Sequence, residues 1–167
     1  MKEPVLILLK PECLYKYLSG NVLNMLSETR LKIIAMRLVK ATRSLAEQHY
    51  QHHKEKPFFA DMIRYMLGEF HGGENMLALI YYGENAIKKC RKLAGTTNPE
   101  EAEPKSIRGA LGRITTRGVF ENVVHVSGSS AEAEREIKIW FSPDEILLNI
   151  YPMRFKKINS YKKRIWA

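Results

Sequence analysis

His125 stands in Asn122-Val123-Val124-His125-Val126-Ser127, a polar imidazole inside an apolar, strand-like run. Imidazole titrates near pH ~6.5, so much of it is neutral and nucleophilic at neutral pH. Taken alone, such a histidine is more often a satisfied core or surface residue than a catalytic one. Glu136 adds to the case. It lies three residues after Ala133 and four before Trp140, at the edge of the apolar face of the helix expected to follow. A carboxylate there can hold one ring nitrogen of His125 and fix its tautomer, the logic of a base oriented by a third group. Its plain alternative is a surface pair with Arg135 or Lys138.

Three cations could serve such a pair. Lys10 closes the apolar run Val5 to Leu9. Arg91 flanks the apolar helical face set by Ile87, whereas Lys88, Lys89 and Lys92 point elsewhere. Arg108 sits in Ser106-Ile107-Arg108-Gly109, where a planar fork can grip phosphate oxygens bidentately and the glycine admits close backbone approach. Converging on one phosphate chain, the three would supply the electrostatic stabilisation that phosphoryl transfer needs. Separately, each reads as an ordinary solvated charge. The chain carries neither GxxxxGK[ST] nor GxGxxG, so the phosphate holder is neither a P-loop nor a Rossmann turn.

These residues need elements to hold them. Val5 to Leu9 reads as a short buried strand, followed by a helix through Val22, Met25 and Leu26 and a second strand in Leu31 to Val39. Ser44 to Glu47 fits a capping box opening a helix towards His53, and Pro57 suits the first turn of another running to Met66. Gly68 to Asn75 reads as a loop before the strand Met76 to Tyr82. Ala86, Ile87, Cys90, Leu93 and Ala94 form one helical face that Gly95 ends. Thr96 to Phe120 has little periodicity and reads as a long irregular segment. Val123 to Val126 is a strand, Ser129 to Glu132 caps the helix bearing Glu136, and Ser142-Pro143 starts a last short helix. Strands alternating with helices argue for an α/β layer structure on one small sheet.

Composition narrows the setting. The 167 residues are 45% hydrophobic, enough for one ordinary domain. Cys13 and Cys90 are far apart, so both read as free thiols in a reducing compartment. Lys10 and Pro11 cut the first apolar run too early for a signal peptide or membrane span. A cytoplasmic protein without a membrane partner is expected. The net charge of +9 favours anionic partners, but six of the cations (Arg154, Lys156, Lys157, Lys162, Lys163 and Arg164) crowd the C-terminal end. We therefore divide the chain into a domain over residues 1–151 and a basic tail over residues 152–167. Nucleic-acid binding by that tail is a possible reading, but not the favoured one.

Leu9-Lys10-Pro11-Glu12, His49-Tyr50 with Lys56-Pro57-Phe58-Phe59-Ala60, Gly95-Thr96-Thr97-Asn98-Pro99, Ser106-Ile107-Arg108-Gly109 and Asn122-Val123-Val124-His125 occur in one order along the chain. Together they resemble the nucleoside diphosphate kinase family, from about Val5 to Leu148. The resemblance implies a ferredoxin-like βαββαβ core: a four-stranded antiparallel sheet, α/β in class, with helices packed on it. It implies ping-pong transfer of the γ-phosphate between nucleoside tri- and diphosphates through a phosphohistidine. Matched motif by motif, His125 is the nucleophile and Glu136 orients it. Lys10, Tyr50, Arg91, Thr97 and Arg108 contact the phosphates, Asn122 reaches the sugar, Phe58 stacks on the base and Met62 supports that pocket. Mg²⁺ is held mainly by the nucleotide's own phosphates, with no protein ligand, and the family assembles as hexamers or tetramers of dimers.

Two features depart from the family. After the histidine the family usually reads Gly-Ser-Asp-Ser, whereas this chain has Val126-Ser127-Gly128-Ser129, leaving Ser127 to bond the orienting glutamate and losing the aspartate. Segments within Leu67 to Asn75 and Ala110 to Glu121 are longer than usual. The altered turn carries an alternative reading as a kinase-like binding protein with weak chemistry.

Overall fold

The computed structural model describes residues 1–154. Strand β1 (Lys2–Leu9) leads through helices α1 (Pro11–Tyr15) and α2 (Ser19–Ser27) to β2 (Lys32–Lys40). Helices α3 (Arg43–His49) and α4 (Phe59–Met66) precede β3 (Asn75–Glu84), which is followed by α5 (Ala86–Ala94) and α6 (Ile107–Leu111). A hairpin of β4 (Arg113–Ile114) and β5 (Phe120–Glu121) then leads to β6 (Val124–Val126) and α7 (Ser130–Trp140).

The main sheet is antiparallel with strand order β2-β3-β1-β6. That is the order expected of a βαββαβ core, with α3 and α4 inserted between its second and third strands. Central β1 is flanked by β3 and β6 and covered on both faces, which explains its unbroken run Val5 to Leu9. Alternation divides the run. Val5, Ile7 and Leu9 pack with α1, α2 and α5, whereas Leu6 and Leu8 pack towards α3, α4 and α7. His125 pairs in register with Leu8, and its neighbours Val124 and Val126 join the first of these two cores. The period of two therefore turns the imidazole away from its neighbours' core, towards α3 and α7.

Local chemistry corrects three expectations. The N-cap of α3 is Thr42, whose hydroxyl accepts from Leu45 N at 3.3 Å, while Ser44 lies inside the helix and takes a bond from Gln48. Both residue types can cap. The preceding strand runs on to Lys40, so the chain turns at Thr42 rather than two residues later. Helix α4 begins at Phe59 with Phe58 at its N-cap, so Pro57 lies outside it. The segment 96–120 is not irregular throughout: it holds the 3₁₀ turn Pro99–Glu101, α6 capped by Ser106 through Gly109 N, and the β4–β5 hairpin.

The caps of α7 and α5 follow the sequence reading. Ser129 caps α7 by accepting from Glu132 N at 3.2 Å. Gly95 ends α5 at φ +83°, and a Cβ there would lie 2.3 Å from Ser106 Oγ, so both its conformation and its space require glycine. No helix among the described residues is long and apolar enough to cross a membrane. The basic tail from residue 155 onward lies outside the described residues.

Candidate active site

Strand β6 presents His125, and α7 presents Glu136 on the same face of the sheet as α3. His125 Nε2 lies 3.0 Å from Glu136 Oε2, and Ser127 Oγ donates to that same oxygen at 2.6 Å. Glu136 and Ser127 are fully buried, while the His125 side chain keeps 17% of its surface open. A carboxylate next to Nε2 favours the tautomer with its proton there, leaving the Nδ1 lone pair free. Burial, with Lys10 and Arg108 close by, holds the His125 imidazole well below its usual pKa. At neutral pH it is uncharged and nucleophilic.

The cations reach the same region from three elements. Lys10 follows β1 at the N-cap of α1, and its Nζ donates to Asn122 Oδ1 at 2.6 Å. Burial lowers its pKa to about 8, an effect opposed by Glu12 and reinforced by Arg108. Arg108, on α6, spreads its fork between two carbonyls, Gly95 O at 2.8 Å and Val124 O at 2.9 Å. Its Nε is buried without a protein partner among the described residues, and burial beside Arg91 brings its pKa down to about 10. Arg91, exposed on α5, extends to within 3.4 Å of where a Cβ on Gly128 would stand, at the turn after His125.

Asn122 ties these parts together, because its Nδ2 donates to Thr97 O at 3.0 Å while its oxygen takes Lys10. Tyr50 is buried with its ring centroid 6.4 Å from that of His125, and its hydroxyl lies 3.9 Å from Met66 Sδ. Burial and nearby Glu136 push its pKa up, so it remains a neutral phenol. Phe58 is 50% exposed and lies at 5.7 Å from the His53 ring, which in turn stacks on Tyr50 at 6.4 Å. Met62 is half-buried on α4 against the core beneath. Lys10, Arg108 and Asn122 thus gather around the His125 strand with Tyr50 beside it, Arg91 reaches the turn that follows, and Phe58 stands outside this group at the end of an aromatic row.

Several parts of the site lie beyond sequence reasoning. Val123 adopts φ +70°, a left-handed conformation costly for a β-branched residue. It is held because its N–H donates to Glu12 Oε1 at 2.9 Å and its carbonyl accepts from Lys10 N at 2.9 Å. Glu12 is a buried carboxylate supporting this turn, and its place in Lys10-Pro11-Glu12 was the only signal for it. His49 is fully buried, with its ring centroid 4.4 Å from that of His125. The altered turn is closed by Glu132, whose Oε2 accepts from Gly128 N at 2.9 Å. The insertion before Asn122 is anchored by Glu121, which takes both Lys16 and Arg113.

A ferredoxin-like sheet carrying a histidine–carboxylate pair beside the half-buried cations Lys10 and Arg108 fits one class, a phosphotransferase. The model of the family described as nucleoside diphosphate kinase matches residues 3–146. A nucleoside diphosphate kinase of Archaeoglobus fulgidus is 41% identical, over 87% of this chain and 90% of that protein. One from Methanocaldococcus jannaschii is 38% identical over 87% and 98%. Among solved structures, the Aquifex aeolicus nucleoside diphosphate kinase superposes with a TM-score of 0.78 at 33% identity, covering 87% of this chain and 99% of that one. The Borrelia burgdorferi enzyme, a transition-state mimic with bound vanadate and ADP, gives 0.77 at 26% identity over 93% of each chain. The chain belongs to the nucleoside diphosphate kinase family, whose members are phosphotransferases.

Proposed function

We propose that this chain moves the γ-phosphate of a nucleoside triphosphate such as ATP onto a nucleoside diphosphate in two steps through phosphorylated His125. The observation that carries this reading is the His125 Nε2 to Glu136 Oε2 contact of 3.0 Å, which commits one nitrogen and frees the other. In the first step the Nδ1 lone pair attacks the γ-phosphorus. The bond from phosphorus to the bridging oxygen breaks, and the diphosphate departs with the electron pair. The ring becomes cationic with its Nε2 proton retained, and Glu136 balances that charge. In the second step a terminal oxygen of the acceptor diphosphate attacks the phosphorus, and the N–P bond returns its electrons to the ring.

Lys10, Arg91 and Arg108 supply charge for the oxygens of the phosphoryl group, with Tyr50 and Thr97 as neutral partners. We read Asn122, bonded to Lys10, as the sugar contact and Phe58, open to solvent beside His53, as the base-stacking residue supported by Met62. Stacking on a π-face is tolerant of base identity. The site residues nearest the phosphates are cations, which suit a phosphate chain and not a bare divalent ion. The family generally uses Mg²⁺ with its nucleotides, and here we read the ion as arriving on the nucleotide's phosphates, as part of the substrate.

Residues 1–151 form the catalytic domain in this reading, and the protein works in the cytoplasm as a homo-oligomer, a hexamer or a tetramer of dimers. Edge strand β2 supports assembly, because Ile33, Met36 and Leu38 on it are exposed apolar residues. Initial rates with ATP and a second diphosphate test the chemistry. Parallel double-reciprocal lines are expected, and intersecting lines would replace the covalent route with direct transfer.

A further inference from the structure

Beyond the groups that meet substrate, one buried residue touches the histidine–carboxylate pair from behind. His49, at the end of α3, is fully buried, and its ring stands edge-to-face with His125, centroids 4.4 Å apart at 84°. The indole Nε1–H of Trp140 donates to His49 Nδ1 at 3.1 Å. An indole nitrogen only donates, so Nδ1 is the accepting nitrogen and a neutral His49 carries its proton on Nε2. That Nε2 is buried without a hydrogen-bond partner among the described residues, and so is Glu136 Oε1. One ring nitrogen from each histidine and one Glu136 oxygen lie within 4.8 Å of one another.

This trio has the composition of a metal site, but the tautomer closes it to a metal, because ligation needs a nitrogen lone pair and Trp140 leaves a hydrogen on Nε2. What remains is a neutral donor in the same buried cluster as a carboxylate. His125 and Ser127 both use Glu136 Oε2, which leaves Oε1 with only the Arg135 guanidinium beside it, Nη2 at 3.5 Å. The terminal torsion of a glutamate is broad and roughly two-fold, so holding one oxygen does not fix the plane of the group. Catalytic hydrogen bonds are often long in a resting site and tighten as charge develops.

We propose that His49 is a positioning residue for the phosphotransfer described above, its Nε2–H fixed by Trp140 and available to Glu136 Oε1, the carboxylate oxygen that accepts no hydrogen bond. It closes on that oxygen as His125 becomes cationic. The inference rests on His125 being the nucleophile. The groups facing His49 are His125, Glu136, Tyr50, Trp140 and Arg135, the last donating through Nη1 to His49 O at 3.1 Å, with Lys10 beyond. Burial, reinforced by the charge of a protonated His125, holds His49 well below its ordinary pKa, which keeps it a neutral donor across the working range.

The test compares His49→Leu, His49→Gln and Trp140→Phe with the parent in steady-state kinetics, and reads the ring tautomer by ¹⁵N NMR. His49→Leu should lose about 10²-fold in kcat with nucleotide KM nearly unchanged, since the residue aligns the nucleophile without touching phosphate. His49→Gln, which can still offer an N–H, should recover part of that loss. Trp140→Phe keeps the ring but frees the tautomer, so it should lower kcat and add an Nδ1–H population to the His49 spectrum. The parent should show His49 as the Nε2–H form from pH 6 to 9. An active parent whose His49→Leu kcat is unchanged, or whose His49 shows the Nδ1–H form, overturns the inference and leaves the phosphohistidine reading intact. Should His49→Leu fail to fold, the tautomer and the Trp140→Phe kinetics decide alone. A parent that forms no phosphohistidine removes the underlying function instead.

Discussion

Glu136 Oε2 is shared by two donors, His125 Nε2 at 3.0 Å and Ser127 Oγ at 2.6 Å, and it is through this oxygen that α7 fixes the imidazole presented by β6. The two residues are 11 positions apart and meet because β6 and α7 are joined by a tight capped turn at Ser129. The free nitrogen and the balance of charge on phosphorylation both depend on this contact.

Replacing the carboxylate tests that dependence. Glu136→Gln keeps the shape but removes the charge that offsets the cationic phosphorylated ring. A fall in kcat of roughly 10²–10³-fold is expected, the range found on removing one preorganised electrostatic group. Nucleotide KM should change little, and a kcat within twofold of the parent would show that Glu136 merely packs.

Lys10 makes binding sensitive to alkali. Its pKa is lowered to about 8 by burial, so in the free enzyme its charge, and with it the attraction for phosphate, is lost as pH rises through that value. The pH profile of kcat/KM, which reports the free enzyme, should fall above about 8. Lys10→Arg should move that fall to higher pH, because a guanidinium stays charged. A limb that stays put in the variant assigns it to another group.

Arg108 combines support and function. Its two Nη groups satisfy the carbonyls of Gly95 and Val124, so Arg108→Lys leaves at least one of them unpaired. About 1–3 kcal/mol of stability should be lost, together with a raised nucleotide KM. Urea unfolding and steady-state kinetics on one preparation measure both, and loss of neither would mean that lysine restores the bonds.

Acid should destabilise the fold through its buried imidazoles. His49 and His125 are both held below their ordinary pKa, chiefly by burial, so below pH ~6.5 the unfolded chain binds more protons than the native one. Their contribution is complete above that pH and is lost as pH falls, by up to about 1.4 kcal/mol per histidine per unit. Urea unfolding at pH 7.5 and 5.5 measures it, and equal or greater stability at pH 5.5 would show that the rings charge freely.

Much of this was legible because the residues that matter sit on strongly patterned elements. The apolar run of β1, the face of α5 and the 3.6-residue spacing of α7 placed Lys10, Arg91 and Glu136 on the right elements, and the motif order tied them to His125. Contacts that join distant segments were not legible. Trp140 and His49 are 91 residues apart and face each other only once α3 packs on α7. Strands β4 and β5 are two residues each, too short to carry a period, so the insertion read as irregular. The cap of α3 moved from Ser44 to Thr42 because the end of β2 decided the turn.

The nitrogen that carries phosphate reports most directly on the chemistry of His125. Brief incubation with ATP and Mg²⁺, followed by ³¹P and ¹⁵N NMR of the isolated protein, should reveal one acid-labile, alkali-stable phosphohistidine, substituted at Nδ1 of His125 and missing in His125→Ala. Phosphate on Nε2, or labelling that persists in His125→Ala, would contradict it.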